Sequence, residues 1–85
     1  MTSEPTLERV TPAIARQWLR RAQQKRLDMD KARRLCFAMM RGEWEHAKHA
    51  HRPCIIRAGR LVDGNHRTVA ALLYGKPVEL WVLHE

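Results

Sequence analysis

In the run Leu61-Val62-Asp63-Gly64-Asn65-His66-Arg67-Thr68-Val69-Ala70-Ala71, a glycine separates a short apolar stretch from an amphipathic one. An acid, an amide, an imidazole and a guanidinium surround that glycine. Such a junction suits an anion. The first backbone N–H groups of a helix lack internal acceptors and stand at the positive end of its dipole. Gly64 lets the backbone come close to a guest, and His66 and Arg67 add side-chain donors. Phosphate is the guest this chemistry fits, with Gly64, Asn65, His66, Arg67 and Thr68 as the candidate contacts. The same residues also fit a plainer arrangement, in which Asp63 or Asn65 caps the helix and His66 and Arg67 face solvent. Spacing alone does not separate the two, because a strand–glycine–helix junction is a weak signal by itself.

Two further constellations carry chemistry. Phosphoryl transfer would add a metal-binding carboxylate and a positioned base to the phosphate donors. Asp63 is the candidate metal ligand, and Glu43 the candidate base or second ligand if Gly42-Glu43-Trp44 folds back over the turn. Against this, Asp63 also reads as a turn or capping residue and Glu43 as an exposed neighbour of an anchoring tryptophan. His46, His49 and His51 with Cys54 form an H-x-x-H-x-H-x-x-C cluster, the candidate zinc ligands. That spacing is not the paired pattern of a closed structural site. The imidazoles are therefore read as a polar loop that gains charge below pH ~6.5.

The elements that position these groups follow from periodicity. Thr11-Pro12 starts a helix running to about Gln24, with Ile14, Ala15, Trp18, Leu19 and Ala22 on one face. Asp28 caps a second helix with the stripe Ala32, Leu35, Cys36, Met39 and Met40, ended by Gly42. Residues 43–53 are a polar connection. Cys54–Arg57 and Arg60–Asp63 read as a hairpin about Ala58-Gly59, followed by a third helix that stops at Gly75. Val78–His84 reads as a strand covered on both sides. The expected order is helix, helix, hairpin, helix, strand, an α/β (α+β) domain over residues 11–85 behind an N-terminal tail, 1–10.

Asp63-Gly64-Asn65-His66-Arg67 followed by Ala70-Ala71 resembles the D-G-x-H-R-x-x-A-A signature of the ParB N-terminal and sulfiredoxin-like superfamily. Met40-Arg41-Gly42-Glu43-Trp44 and Gly59-Arg60-Leu61-Val62-Asp63-Gly64 resemble the remaining motifs of small ParB-like proteins of bacteriophages and actinobacteria. The resemblance spans most of residues 11–84. It implies a ParB/sulfiredoxin-like fold in which Gly64, His66 and Arg67 contact nucleotide phosphates, and it leaves activity open, since the superfamily includes clamps, reductases, a kinase and nucleases. In sulfiredoxins the catalytic cysteine immediately precedes the H-R pair. Here that position is Asn65, which cannot act as a thiolate nucleophile. Partition clamps carry further DNA-binding and dimerisation domains, for which 85 residues leave no room.

Charge points the same way. Formal net charge is +7, and residues 9–60 hold 14 Lys/Arg against Asp28, Asp30, Glu43 and Glu45, whereas residues 61–85 hold two against three acids. The basic helices therefore suit a polyanion, with Arg16, Arg20, Arg21, Lys31, Arg33 and Arg34 as backbone contacts to nucleic acid. Two cysteines and no apolar leader fit a cytoplasmic protein with free thiols, and no apolar run is long enough to span a bilayer. Trp18, Trp44 and Trp81 leave room for a protein partner, with Trp44 the candidate for an exposed patch. The sequence thus reads as a small basic protein that binds nucleic acid or nucleotide phosphate in a phage or mobile-element setting. The alternatives are a nucleotide-dependent enzyme using a nucleoside triphosphate with Mg, or a regulator of a host protein. Oligomeric state stays open.

Overall fold

The computed structural model describes residues 4–22, 27–49 and 51–85. Its helices begin and end where local chemistry dictates. Helix α1, Pro12–Arg20, is capped by Thr11, whose Oγ1 accepts from the Ile14 amide at 3.2 Å. It ends earlier than its apolar spacing predicts. The Arg21 and Ala22 amides close i→i+3 bonds onto Trp18 and Leu19, tightening the last turn, and Ala22 is already outside the helix. The rest of the expected helix, Gln23 and Gln24, lies outside the described residues. Helix α2, Met29–Met40, is capped by Asp28, which accepts from the Asp30 and Lys31 amides. It closes in a Schellman motif at Gly42, with Glu43 N bonded to Ala38 O at 2.8 Å and Gly42 N to Met39 O at 3.2 Å.

The polar connection contains one 3-10 turn, His46–His49, before strands β2, Cys54–Arg57, and β3, Arg60–Asp63. Their hairpin turns at Ala58 and Gly59, both with positive φ, the combination a type I′ turn requires. Helix α3, Asn65–Tyr74, stops at the left-handed Gly75, and strand β4, Val78–His84, follows.

The residues expected to form a tail include a strand. Thr6–Val10 is β1, antiparallel to β4 in a four-stranded sheet of order β1-β4-β2-β3, and Val10 is only 1% exposed. The element order therefore opens with a strand. β1 has a single buried side chain and owes its existence to backbone pairing with β4, so its alternation is too faint to announce it. β4 pairs with β1 on one side and runs parallel to β2 on the other, with Cys54 opposite Val82.

All three helices share one core with the same face of this sheet. Val10, Leu80, Val82, Cys54, Ile56 and Leu61 from the strands meet Ala15, Cys36, Met39, Ala70 and Ala71 from the helices. α3 lies in the middle and packs on both α1 and α2. The alanines at 70 and 71, both buried, let its neighbours approach closely. The expectation that β4 is covered on both faces needs correction. Val78, Leu80 and Val82 are buried, whereas Glu79 is exposed and Trp81 and Leu83 stay half-exposed outside the core. The helices cover one face only. The α+β class is as expected, and no helix among the described residues is long and apolar enough to cross a membrane.

If β1 is integral to the fold, Val10→Ala lowers the unfolding free energy in urea by roughly 1.5–3 kcal/mol. A change within about 0.5 kcal/mol, the usual range for a surface substitution, would return this segment to a tail.

Candidate functional site

The junction between β3 and α3 is shaped by an irregularity in the hairpin. Arg57 faces Arg60 and Ile56 faces Leu61, but Ile55 faces Asp63, so Val62 is an extra residue on β3. This bulge advances the register by one and brings Gly64 against Cys54 at the start of β2. The fit there is closed to any other residue. A Cβ on Gly64 would stand 2.6 Å from Cys54 Sγ and 2.9 Å from its Cβ, and the backbone has φ +98°. Glycine is demanded twice, by space and by conformation.

Gly64 is also the N-cap of α3, and no side chain caps that helix. Neither of the two expected capping residues does so. Asp63 turns its Oδ1 onto the Gly64 amide at 2.9 Å, and the Asn65 Oδ1 is buried without a hydrogen-bond partner. The N-terminal turn of α3 thus keeps its partial positive charge directed at its surroundings.

Those surroundings are a cleft of ≈ 440 Å³ lined by Asp63, Gly64, Asn65, His66 and Arg67 from the junction, Lys31 and Leu35 from α2, and His49 and Arg52 from the connection. Asp63 is its one lining carboxylate. His66 Nε2 accepts from the Asp28 amide at 3.0 Å, which places the ring proton on Nδ1 and ties the junction to the cap of α2. Arg67 donates through Nη1 to the Arg52 carbonyl, joining the junction to the connection. His49 stacks on Trp44 with ring centroids 4.5 Å apart. Burial, then the charges of Arg67, His51, Arg52 and Lys48, push the His49 pKa below its ordinary value. The cleft therefore presents His49 as a neutral ring near neutral pH, beside the permanent cations Lys31, Arg52 and Arg67.

The candidate residues separate in space. Gly64, Asn65, His66, Arg67 and Lys31 line the cleft. Thr68 does not. It is fully buried and its hydroxyl donates to the Gly64 carbonyl at 2.8 Å, so it braces the turn from within. Arg16, Arg20, Arg21, Arg33 and Arg34 are exposed on α1 and α2 outside the cleft, with Arg33 3.6 Å from Asp30. Glu43 is exposed and absent from the cleft wall, so the structure does not bring the two candidate carboxylates, Asp63 and Glu43, together. The cleft's own groups offer a metal one carboxylate, and a Mg ion there would depend on the phosphates it accompanies.

Among the described residues, no three His, Cys, Asp or Glu side chains converge as metal ligands. His49 is engaged with Trp44, His51 is exposed, and the side chain of His46 lies outside the described residues. Cys54 is sealed beneath Gly64, and burial raises its pKa, as suits an inert thiol. Trp44, the candidate for an exposed patch, is half-buried against the core and donates its indole N–H to the Glu79 carbonyl at 3.0 Å. Arg52 lines the cleft without any local sequence signal, and His49, which the sequence offers as a polar-loop imidazole or a zinc ligand, lines it too. Their place becomes evident once Cys54 is known to touch Gly64, because the connection must then end beside the N-terminus of α3.

No protein family, curated protein or solved structure matches the chain.

Two measurements test this construction. Gly64→Ala lowers stability by roughly 2–5 kcal/mol, combining the left-handed backbone cost with overpacking on Cys54. Gly75→Ala, where a Cβ meets nothing within 4 Å, costs only about 1–2 kcal/mol. Equal losses in urea would mean that the Cys54 contact is not tight. For His49, the depressed folded pKa means that the unfolded chain binds the proton more strongly. Its contribution to stability is complete above pH ~6.5 and is lost as pH falls through that value towards the lower folded pKa. Chemical denaturation across this window should show a fall that His49→Gln reduces, and an unchanged slope in the variant would remove His49 as its source.

Proposed function

We propose that the cleft at the N-terminus of α3 binds the phosphate of a nucleotide or nucleic acid. The observation that carries this reading is the convergence of Arg67, Arg52, Lys31, His49 and His66 on an uncapped helix start, with one carboxylate among them. Backbone amides of the first turn and the Arg67 guanidinium are the primary donors. Lys31 supplies a flexible point charge from the opposite wall, and Gly64 keeps that part of the wall low enough for close approach. The exposed arginines of α1 and α2 add sequence-independent contacts along a polynucleotide. This assignment agrees with the resemblance of residues 63–71 to ParB-like proteins, and we propose kinship with that superfamily on those residues. The separation of Glu43 from Asp63 favours binding over phosphoryl transfer.

Thermal denaturation with ATP, CTP, GTP and a short duplex, for the native chain and for Arg67→Ala and Lys31→Ala, tests the proposal. A ligand at about 100 times its Kd stabilises by about 2.7 kcal/mol, a rise on the order of 10–20 °C for a domain of this size. Nucleotide stabilisation that both variants lose supports the cleft. Stabilisation by duplex alone, weakening steeply with salt and insensitive to Arg67, would move binding to the helical surface. No shift with any of these ligands would sink the proposal.

A further inference from the structure

The groups that line the cleft differ in whether their charge can change. Lys31, Arg52 and Arg67 are permanent cations. His66 has its Nε2 lone pair committed to the Asp28 amide at 3.0 Å, so it becomes a cation only by giving that bond up. His49 is placed differently. It stacks on Trp44 with centroids 4.5 Å apart and planes 11° from parallel, a contact that engages the face of the ring and not the edge where its nitrogens lie. Trp44 is itself fixed, half-buried against the core with its indole N–H on the Glu79 carbonyl at 3.0 Å. The imidazole is thereby held at the cleft wall.

Charges surround it. Arg67 acts on it from α3, and His51, Arg52 and Lys48 from its own connection, all opposing a further positive charge. Lys48 lies 3.2 Å from the Glu45 carboxylate. Lys31, Asp63 and His66 line the remaining walls of the cleft. Strand β4, packed on the same 3-10 turn, carries Glu79 and His84, the latter closed on Glu8 at 2.7 Å. The π face of Trp44 favours a positive ring, but burial and the neighbouring cations outweigh it. An anion in the cleft would lie against those same cations and reverse the balance.

We infer that a proton on His49 and an anion in the cleft bind together, so that the site holds its phosphate more tightly as pH falls. The inference rests on the phosphate reading of the cleft and adds its regulation. Such linkage is reciprocal, since whatever factor the proton adds to anion affinity the anion adds to proton affinity. Without an anion His49 charges only below pH ~6.5, and with one its midpoint moves up. The extra affinity is therefore complete below the anion-free midpoint and is lost as pH rises through the anion-bound one.

Histidine ring resonances of the native chain, followed by NMR from pH ~5 to ~8 at constant ionic strength with and without inorganic tripolyphosphate, test it. Tripolyphosphate is the part that ATP, CTP and GTP share, and observing the ring directly keeps the probe's own protons out of the result. The His49 midpoint should rise by about one pH unit, while that of His84 on β4 moves much less. A rise of about one unit corresponds to up to tenfold tighter binding at acid pH, and His49→Gln should shrink the ratio of Kd values at pH ~8 and ~5.5 by a similar factor. An unmoved His49 midpoint while the Gly64 and Arg67 amides respond to the probe would overturn the inference and leave the phosphate reading standing. No response from those amides would overturn both. An equal rise at His84 would also overturn the inference, because it would report general neutralisation of a +7 protein and not an event in the cleft.

Discussion

The contact between Gly64 and Cys54 ties together parts of the chain that otherwise have little reason to meet. Cys54 is the first residue of β2, and Gly64 is the hinge between β3 and α3. With no Cβ between them, the start of one strand lies directly beneath the start of a helix. The bulge at Val62 supplies the register that makes this possible. The segment entering β2 is thereby delivered to the N-terminus of α3, bringing His49 and Arg52 with it. A larger residue at 64 would push these pieces apart before it altered any group capable of chemistry.

The electropositive character of the cleft has a different origin from the formal charge of the protein. Arg16, Arg20, Arg33 and Arg34 lie on the exposed surfaces of α1 and α2, where solvent and salt screen them. In the cleft, Lys31, Arg52 and Arg67, from separated segments, surround a helix end whose first turn has no side-chain cap among the described residues. Two hydrogen bonds maintain the assembly, one from the Asp28 amide to His66 and one from Arg67 to the Arg52 carbonyl. Each joins the junction to a different wall, so the side chains best suited to meet an anion also set the width of the cleft.

Local signals were legible wherever the physics was local. Thr11, Asp28, Gly42, Gly59 and Gly75 mark their boundaries because capping and left-handed turns depend on a few neighbouring residues. The four residues Gly64 to Arg67 were likewise readable as a strand–glycine–helix junction. β1 was not, since an exposed edge strand is specified by its partner and little in Thr6–Val10 favours one face. Thr68 was misassigned because a hydroxyl near a helix start suits an anion contact and a buried brace equally well. Arg52 carried no local signal at all. Its place in the cleft follows from the distant approach of Gly64 to Cys54.

The arrangement of the sheet also constrains how the molecule comes into being. β4 is the last strand in the sequence, yet both β1 and β2 find a partner in it. On a ribosome, the hairpin and the three helices can emerge and collapse locally while β1 waits, its backbone groups served only by water. The sheet can close only after Val78–His84 has cleared the exit tunnel, when a single late strand joins the earliest segment to the middle one. Assembly then resembles the driving of a keystone, and the interval before it is when β1 is most open to unintended partners.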